Sequence, residues 1–429
     1  MGGTPGGASR IGIRPADLYV VDPALARRVA APAYDTLSPA VRARIAEDDP
    51  LNFLNVLRSP EDAGGDLHTV LRGNLLALQR LLRAGAFVPG TAPRFAWYRL
   101  AVNGHEQTAL IAEVAVADYD RGRIARHEHT RADREAQLAA YLETVAVSSS
   151  PVALAYEADE RMRATARAAT AGDAVLRFTS ADGVEHTVWT TEDAAEIAAV
   201  RSATQALQRL YITDGHHRFA AAARVAAERR AAGDGPDAPN QWLLAALFPS
   251  DELRILPFHR AVLRPRDVPS AELLATLGDH ASVRPLDGPA APERPHHYVV
   301  YLDGRWYEVA AALEGFANGS PASLDVVVLQ QRLLAPVFGV REPRLDPRLH
   351  YIAGDATDVQ VFCDEERAVG FLVRATTMRE LMAIADAELA MPPKSTRFDP
   401  KARSGIFLRM TRRGGDRDPS GNVATGPDR

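Results

Sequence analysis

Three Asx-Gly pairs set between short apolar runs constrain the fold of this chain more than any other feature. Asn103-Gly104 separates Phe95 to Leu100 from Gln107 to Val116. Asp182-Gly183 separates Ala174 to Phe178 from His186 to Trp189, and Asp303-Gly304 separates Tyr298 to Leu302 from Arg305 to Val309. Such pairs accept the positive φ that a tight hairpin loop requires, so each reads as two antiparallel strands. Between the hairpins, Leu71, Leu75, Leu78 and Leu82 recur at helical spacing, and helix-forming runs cover about 132–144, 192–208, 324–334 and 377–387. Leu51 to Leu57 and Val359 to Phe362 read as further short strands. The pattern predicts an α+β (mixed α/β) fold.

A fourth Asx-Gly pair stands in a different setting. Leu210-Tyr211-Ile212 has strand character and Phe219 to Ala232 is helix-forming, so Asp214-Gly215-His216-His217-Arg218 occupies a strand-to-helix turn. The first N–H groups of a helix lack internal partners and carry partial positive charge, which makes this turn an anion site. Gly215 lets the backbone approach a ligand, Arg218 can fork onto phosphate, and the histidines can donate, accept or ligate metal. The plain alternative is a solvated helix start capped by Asp214.

Two more polar clusters give the turn company. Arg126-His127-Glu128-His129-Thr130-Arg131 precedes the helix from Ala132, and could offer a base with phosphate ligands or else ordinary charge pairing. Pro392-Pro393-Lys394-Ser395-Thr396 and Lys401 present cations and hydroxyls on a stiff loop, or a surface basic loop. If the three clusters converge, they form a phosphoryl-transfer pocket.

At 429 residues the chain exceeds one ordinary core. Composition breaks suggest disordered ends at 1–10 and 411–429, an N-terminal lobe over 11–150, a central lobe over 151–290 and a C-terminal lobe over 291–410. With 50 basic and 55 acidic residues the net charge is −5, which argues against a nucleic-acid or membrane surface as partner. The single cysteine, Cys363, excludes an intrachain disulfide and fits a cytoplasmic protein. A homodimer is compatible with the sequence.

In chain order, Pro32-Ala33-Tyr34-Asp35, Asn52-Phe53-Leu54-Asn55-Val56, Arg126 to Arg131, Thr213 to Arg218, Leu324-Asp325-Val326 and Met391 to Thr396 together resemble the bacterial and archaeal family known as domain of unknown function 1015, also described as SerK-like. The resemblance spans about 11–409. The Asp-Gly-His-His-Arg turn is also similar to the phosphate-binding turn of the ParB/sulfiredoxin superfamily, which includes nucleotide-dependent free serine kinases. That resemblance implies a ParB/sulfiredoxin-like nucleotide-binding core with additional mixed α/β lobes. It implies that the turn cradles nucleotide phosphates while a glutamate activates the serine hydroxyl. Residue by residue it reaches only Asp214, Gly215, His216, His217 and Arg218; the base is not carried over, and Glu128 is chosen on its neighbours.

The resulting expectation is a kinase that uses ATP or ADP, with Mg²⁺, to phosphorylate a hydroxy amino acid such as free serine. Glu128, Asp214 and His217 are the catalytic candidates. Gly215, His216, Arg218, Arg126, His127, Thr130, Arg131, Lys394, Ser395, Thr396 and Lys401 are the nucleotide-binding ones. Neither a Walker A motif nor a kinase Gly-rich loop is present. Alternatives are the same pocket run as a phosphoserine phosphatase, a ParB-like nucleotide-gated binding protein, and a metal hydrolase built on His127, His129, His216, His217 and Asp214.

Overall fold

The computed structural model describes residues 10–264, 268–311 and 320–412. Nearly all of the two expected disordered ends lies outside them. The protein is a mixed α/β fold in two compact units, one of Met1–Ala125, His129–Leu253 and Pro400–Arg429, the other of Arg126–Glu128 and Arg254–Asp399.

The first unit is built on a nine-stranded sheet. Its strands are β1 (Ile13–Arg14), β2 (Phe95–Val102), β3 (His105–Ala115), β4 (Ile124–Ala125), β5 (Val152–Tyr156), β6 (Leu176–Thr179), β7 (Glu185–Thr191), β8 (Leu210–Asp214) and β9 (Trp242–Pro249). Their spatial order is β4-β8-β5-β9-β3-β2-β7-β6, and β1 pairs with β3. The Asn103-Gly104 hairpin forms as expected, with Val102 opposite His105, and so does the Asp182-Gly183 hairpin. The sheet runs through strands on both sides of residue 150, so the expected boundary between an N-terminal and a central lobe does not divide this unit. Hydrogen bonding of β9 to both β3 and β5 crosses that boundary.

Alternation along the strands sends side chains into two cores. Phe95, Trp97, Leu110, Leu154 and Ile212 face helices α4 (Glu160–Ala169), α5 (Ala194–Thr204) and α6 (His216–Ala231) through Met162, Val200 and Phe219. Ala96, Tyr98, Leu100 and Ile111 share the opposite core with Leu71, Leu78 and Leu81 of α2 (Leu67–Arg83) and with Phe407. Helix α1 (Pro39–Asp48) opens with Pro39 in its first turn and with the Ser38 hydroxyl accepting from the Val41 N–H. The segment read as a strand at Leu51 to Leu57 is instead a 3-10 turn, Phe53–Val56. The Asn52 side chain accepts from the Leu54 N–H, and Asn55 Nδ2 donates to the carbonyls of Ala46, Asp49 and Asn52. Asparagine side chains that bond the local backbone compete with ladder formation.

The second unit carries a six-stranded antiparallel sheet of β10 (His259–Leu263), β11 (Ala281–Leu286), β12 (His297–Leu302), β13 (Arg305–Ala311), β14 (Leu349–Ile352) and β15 (Ala368–Leu372), ordered β11-β13-β12-β15-β10-β14. The expected strand at Val359 to Phe362 is part of helix Ala356–Glu366, opened by a capping box between Asp355 and Asp358. Val359 and Cys363 pack so closely over Gly370 that a Cβ there would lie 2.4 Å from Val359 Cγ1. Burial pushes the Cys363 thiol up to about 12, so it behaves as an inert apolar group. Asp325 begins helix Asp325–Leu329 and also accepts from the His296 N–H at 2.6 Å and from Arg374 Nη2 at 2.6 Å.

Candidate functional site

The turn expected from the sequence forms with one residue between its elements. Strand β8 continues to Asp214, α6 begins at His216, and Gly215 is the N-cap at φ 98° and ψ 30°. A Cβ at Gly215 would lie 2.9 Å from Arg218 Cζ, because the guanidinium folds back over it. The backbone conformation therefore disfavours a side chain here, and an added Cβ would also require the Arg218 guanidinium to move.

Helix α3 (Ala132–Thr144) lies alongside α6, with Ala139 against Ala221 and Val225. At one end the Arg131 N–H donates to His217 Nε2 at 3.1 Å, and at the other Glu143 and Arg229 approach to 3.8 Å. The helices are thus parallel, and their N-termini open at the same place. Two aligned dipoles reinforce the attraction for an anion.

The charged residues at this end form a chain. Asp214 accepts from Lys401 Nζ at 2.8 Å through one carboxylate oxygen and from Arg218 Nη2 at 2.5 Å through the other. Lys401 Nζ also donates to Asp35, of the Pro32-Ala33-Tyr34-Asp35 motif. Arg218 Nη1 donates to the carbonyls of Ser150, at 2.6 Å, and Pro151, at 2.9 Å. The Ser150 and Ser404 hydroxyls bond each other at 2.5 Å, and the Ala31 N–H donates to the Ser404 carbonyl. Four stretches remote in sequence, 31–35, 149–151, 213–218 and 400–404, meet here within one unit.

Burial alone pushes the Asp214 carboxyl up, but the Lys401 ammonium and the Arg218 guanidinium outweigh it and hold it near 2. Burial also opposes the charge on Lys401, and the two aspartates restore it above its ordinary value. At neutral pH Asp214 is a fixed anion, suited to orienting a ligand or cation and poorly suited to taking a proton. His217 is held below its ordinary pKa by burial and the nearby Arg134. Its Nε2 accepts from the Arg131 N–H, so the neutral ring carries its proton on Nδ1 and offers a donor there. Arg218 commits three N–H groups to Asp214 and two carbonyls, which makes it a brace between the turn and β5 more than a free phosphate fork. His216 is buried at the first helical position. The Thr130 hydroxyl donates to Glu135, and Arg131 pairs with Asp133.

The remaining candidates belong to the second unit. There the Met391 N–H donates to the His127 carbonyl at 2.8 Å, which brings Arg126, His127 and Glu128 beside the loop of Lys394, Ser395 and Thr396. His127 is buried, Glu128 half-buried and Arg126 exposed. Lys394 sits at φ 57° with its ammonium 5.0 Å from the centre of the Phe258 ring, and its carbonyl accepts from Arg260 Nη2. Ser395 is buried and its hydroxyl donates to the Pro392 carbonyl at 2.7 Å, so it shapes the loop. Among the described residues no group of three or more His, Cys, Asp or Glu gathers as a metal site. No helix among them is long and apolar enough to cross a membrane.

Sequence reasoning missed Asp35, Ser150 and Ser404 as members of the cluster. Asp35 stood in a recognised motif, and that was the available signal. The two serines carried none.

Among solved structures, the chain is similar to a free serine kinase in complex with AMP, at TM-score 0.32 and 13% identity, over 67% of this chain and 86% of that one. It is also similar to SbnI with C-terminal truncation from Staphylococcus aureus, at TM-score 0.36 and 12% identity, over 68% of this chain and 85% of that one. No curated protein matches it. A family model does match, over residues 13–327, and with the Tyr34-Asp35, Asp214-Gly215 and Leu324-Asp325 motifs inside that span, the chain belongs to the family described as protein of unknown function (DUF1015).

Proposed function

We propose that this protein is a nucleotide-dependent phosphotransferase that phosphorylates the hydroxyl of a small molecule such as free serine, with phosphate groups bound at the Gly215 turn. The observation that carries the reading is the Asp35–Lys401–Asp214 chain set at the paired N-termini of α3 and α6. Phosphoryl transfer needs positioning and neutralised charge more than covalent help from the protein. The helix N-termini, Lys401 and the His217 Nδ1–H supply donors for phosphate oxygens, and Arg218 keeps the turn in shape.

Mg²⁺ in nucleotide sites takes one or two carboxylates together with substrate phosphates. Asp35 and Asp214 fit that donor set, with Asp214 held ionised at neutral pH by Lys401 and Arg218. The ion would supply further charge neutralisation at the phosphates. Glu128 is the proposed base, on its sequence neighbourhood alone.

Isothermal titration with ATP and with ADP, each with and without Mg²⁺, tests the binding half of this reading. Saturable binding in wild type that weakens at least tenfold in Lys401→Met is the expected result. Absence of binding by either nucleotide would refute it.

A further inference from the structure

A closed circuit of contacts runs through the Gly215 turn, all of it within the first unit. From Asp35 it passes through Lys401 to Asp214, along the turn to His217, and from His217 Nε2 to the Arg131 N–H of α3. Arg134, three residues on, approaches Glu61 to 3.9 Å. Asp62, next to Glu61, accepts from the Tyr34 hydroxyl at 2.6 Å, and Tyr34 leads back to Asp35. Burial and then the Arg134 guanidinium hold His217 below its ordinary pKa, which requires that guanidinium to lie near the imidazole as well as near Glu61.

Of the cations on the circuit, Arg134 is the least committed. Lys401 donates to two aspartates, Arg218 to Asp214 and two carbonyls, and Arg131 pairs with Asp133 at 2.5 Å. Arg42, packed on the Tyr34 ring, donates to Asp62 at 2.8 Å. Arg134 makes one hydrogen bond among the described residues, from Nη1 to Gln137 Oε1 at 3.0 Å, and 3.9 Å to Glu61 is beyond hydrogen-bond reach. Its side chain is 30% exposed, so a ligand can touch it. It also stands in the first turn of α3, where a cation opposes the helix dipole unless an anion sits beside it.

We infer that Arg134 is the guanidinium that grips the nucleotide's phosphates, the part that the sequence suggests for Arg218, and that Glu61 holds it at the rim until a phosphate displaces it. This rests on the nucleotide-dependent reading above. Around the circuit the carboxylates of Asp35, Glu61, Asp62, Asp133, Glu135 and Asp214 exceed by one the cations Arg42, Arg131, Arg134, Arg218 and Lys401. The balance suits phosphates that arrive with the Mg²⁺ proposed at Asp35 and Asp214, not phosphates alone.

Isothermal titration of the full chain with Mg²⁺ and ATP, and with Mg²⁺ and ADP, tests the inference through Arg134→Gln and Glu61→Gln. Arg134→Gln, at an unchanged melting temperature, is expected to weaken whichever nucleotide the wild type binds by roughly tenfold or more, the loss of a charge-assisted hydrogen bond. Glu61→Gln removes the competing carboxylate, so it should bind as tightly as wild type or up to about fivefold tighter. Binding in Arg134→Gln within about twofold of wild type would overturn this inference and leave the phosphate site standing. Equal weakening in both variants would make the pair a structural link and would overturn it too. Absence of binding by the wild type would remove the phosphate reading and this inference together.

Discussion

Replacing Gly215 by alanine tests how the turn is held, and a matched control exists in the same unit. Gly215→Ala places a side chain at φ 98°, where an L-residue costs about 1–2 kcal/mol. The added Cβ also meets Arg218 Cζ and Nη2 at 2.9 Å. A guanidinium can swing aside, so the second cost is the loss of its bonds to Asp214, Ser150 and Pro151, not a rigid overlap. Hydrogen bonds to charged groups contribute about 1.5–3 kcal/mol each, less where partly exposed, so losing this set costs about 2–3 kcal/mol. Gly183, at φ 81° in the hairpin between β6 and β7, has nothing within 4 Å of an added Cβ. Gly183→Ala therefore carries the backbone cost alone. At about 2–4 °C per kcal/mol for a unit of this size, Gly215→Ala should melt roughly 4–12 °C below Gly183→Ala in differential scanning calorimetry. Equal melting temperatures for the two variants would refute the role given to Arg218 as a brace.

Three further outcomes follow from the charges. The Asp214 carboxyl is depressed in the folded state, so its contribution to stability is present above its unfolded pKa of 3.8 and is lost as pH falls towards 2; Lys401→Met should destabilise most at neutral pH, with the gap to wild type closing in acid unfolding curves below pH 4. Burial, with Arg403 nearby, lowers His186 to about 3 from 6.5, so the unfolded chain takes up a proton that the folded one refuses; stability should fall as pH drops from 6.5 towards 3, and His186→Asn should reduce that slope by up to about 1.4 kcal/mol per pH unit. Glu128→Gln should keep the wild-type melting temperature and lose phosphorylated product, and full activity would remove Glu128 from the mechanism.

Features encoded by neighbouring residues were legible in the sequence. Asn103-Gly104 and Asp303-Gly304 adopt the paired positive φ values that tight hairpins need, and the Asp214-Gly215 turn falls between its strand and helix as read. Local chemistry misled where side chains rewired the backbone: Asn52 and Asn55 turn an alternating apolar run into a 3-10 turn, and the Asp355 cap recruits Val359 to Phe362 into a helix. The two-unit division was hidden because each unit is assembled from stretches of chain that are not contiguous in sequence. Within the site, Lys401 and Asp35 are 366 positions apart, and no local pattern reports their meeting. The same holds for Arg218, whose sequence advertises a phosphate ligand while its guanidinium is occupied by Ser150 and Pro151.

Product analysis most directly tests the phosphoryl transfer proposed at the Asp214–Lys401 site. Purified protein is incubated with free serine or threonine, Mg²⁺ and either ATP or ADP, and the amino acid is followed by mass spectrometry. Phosphorylated amino acid in wild type, absent in a folded Lys401→Met variant, is the predicted result. No phosphorylated amino acid with either nucleotide, or undiminished product from Lys401→Met, would contradict it.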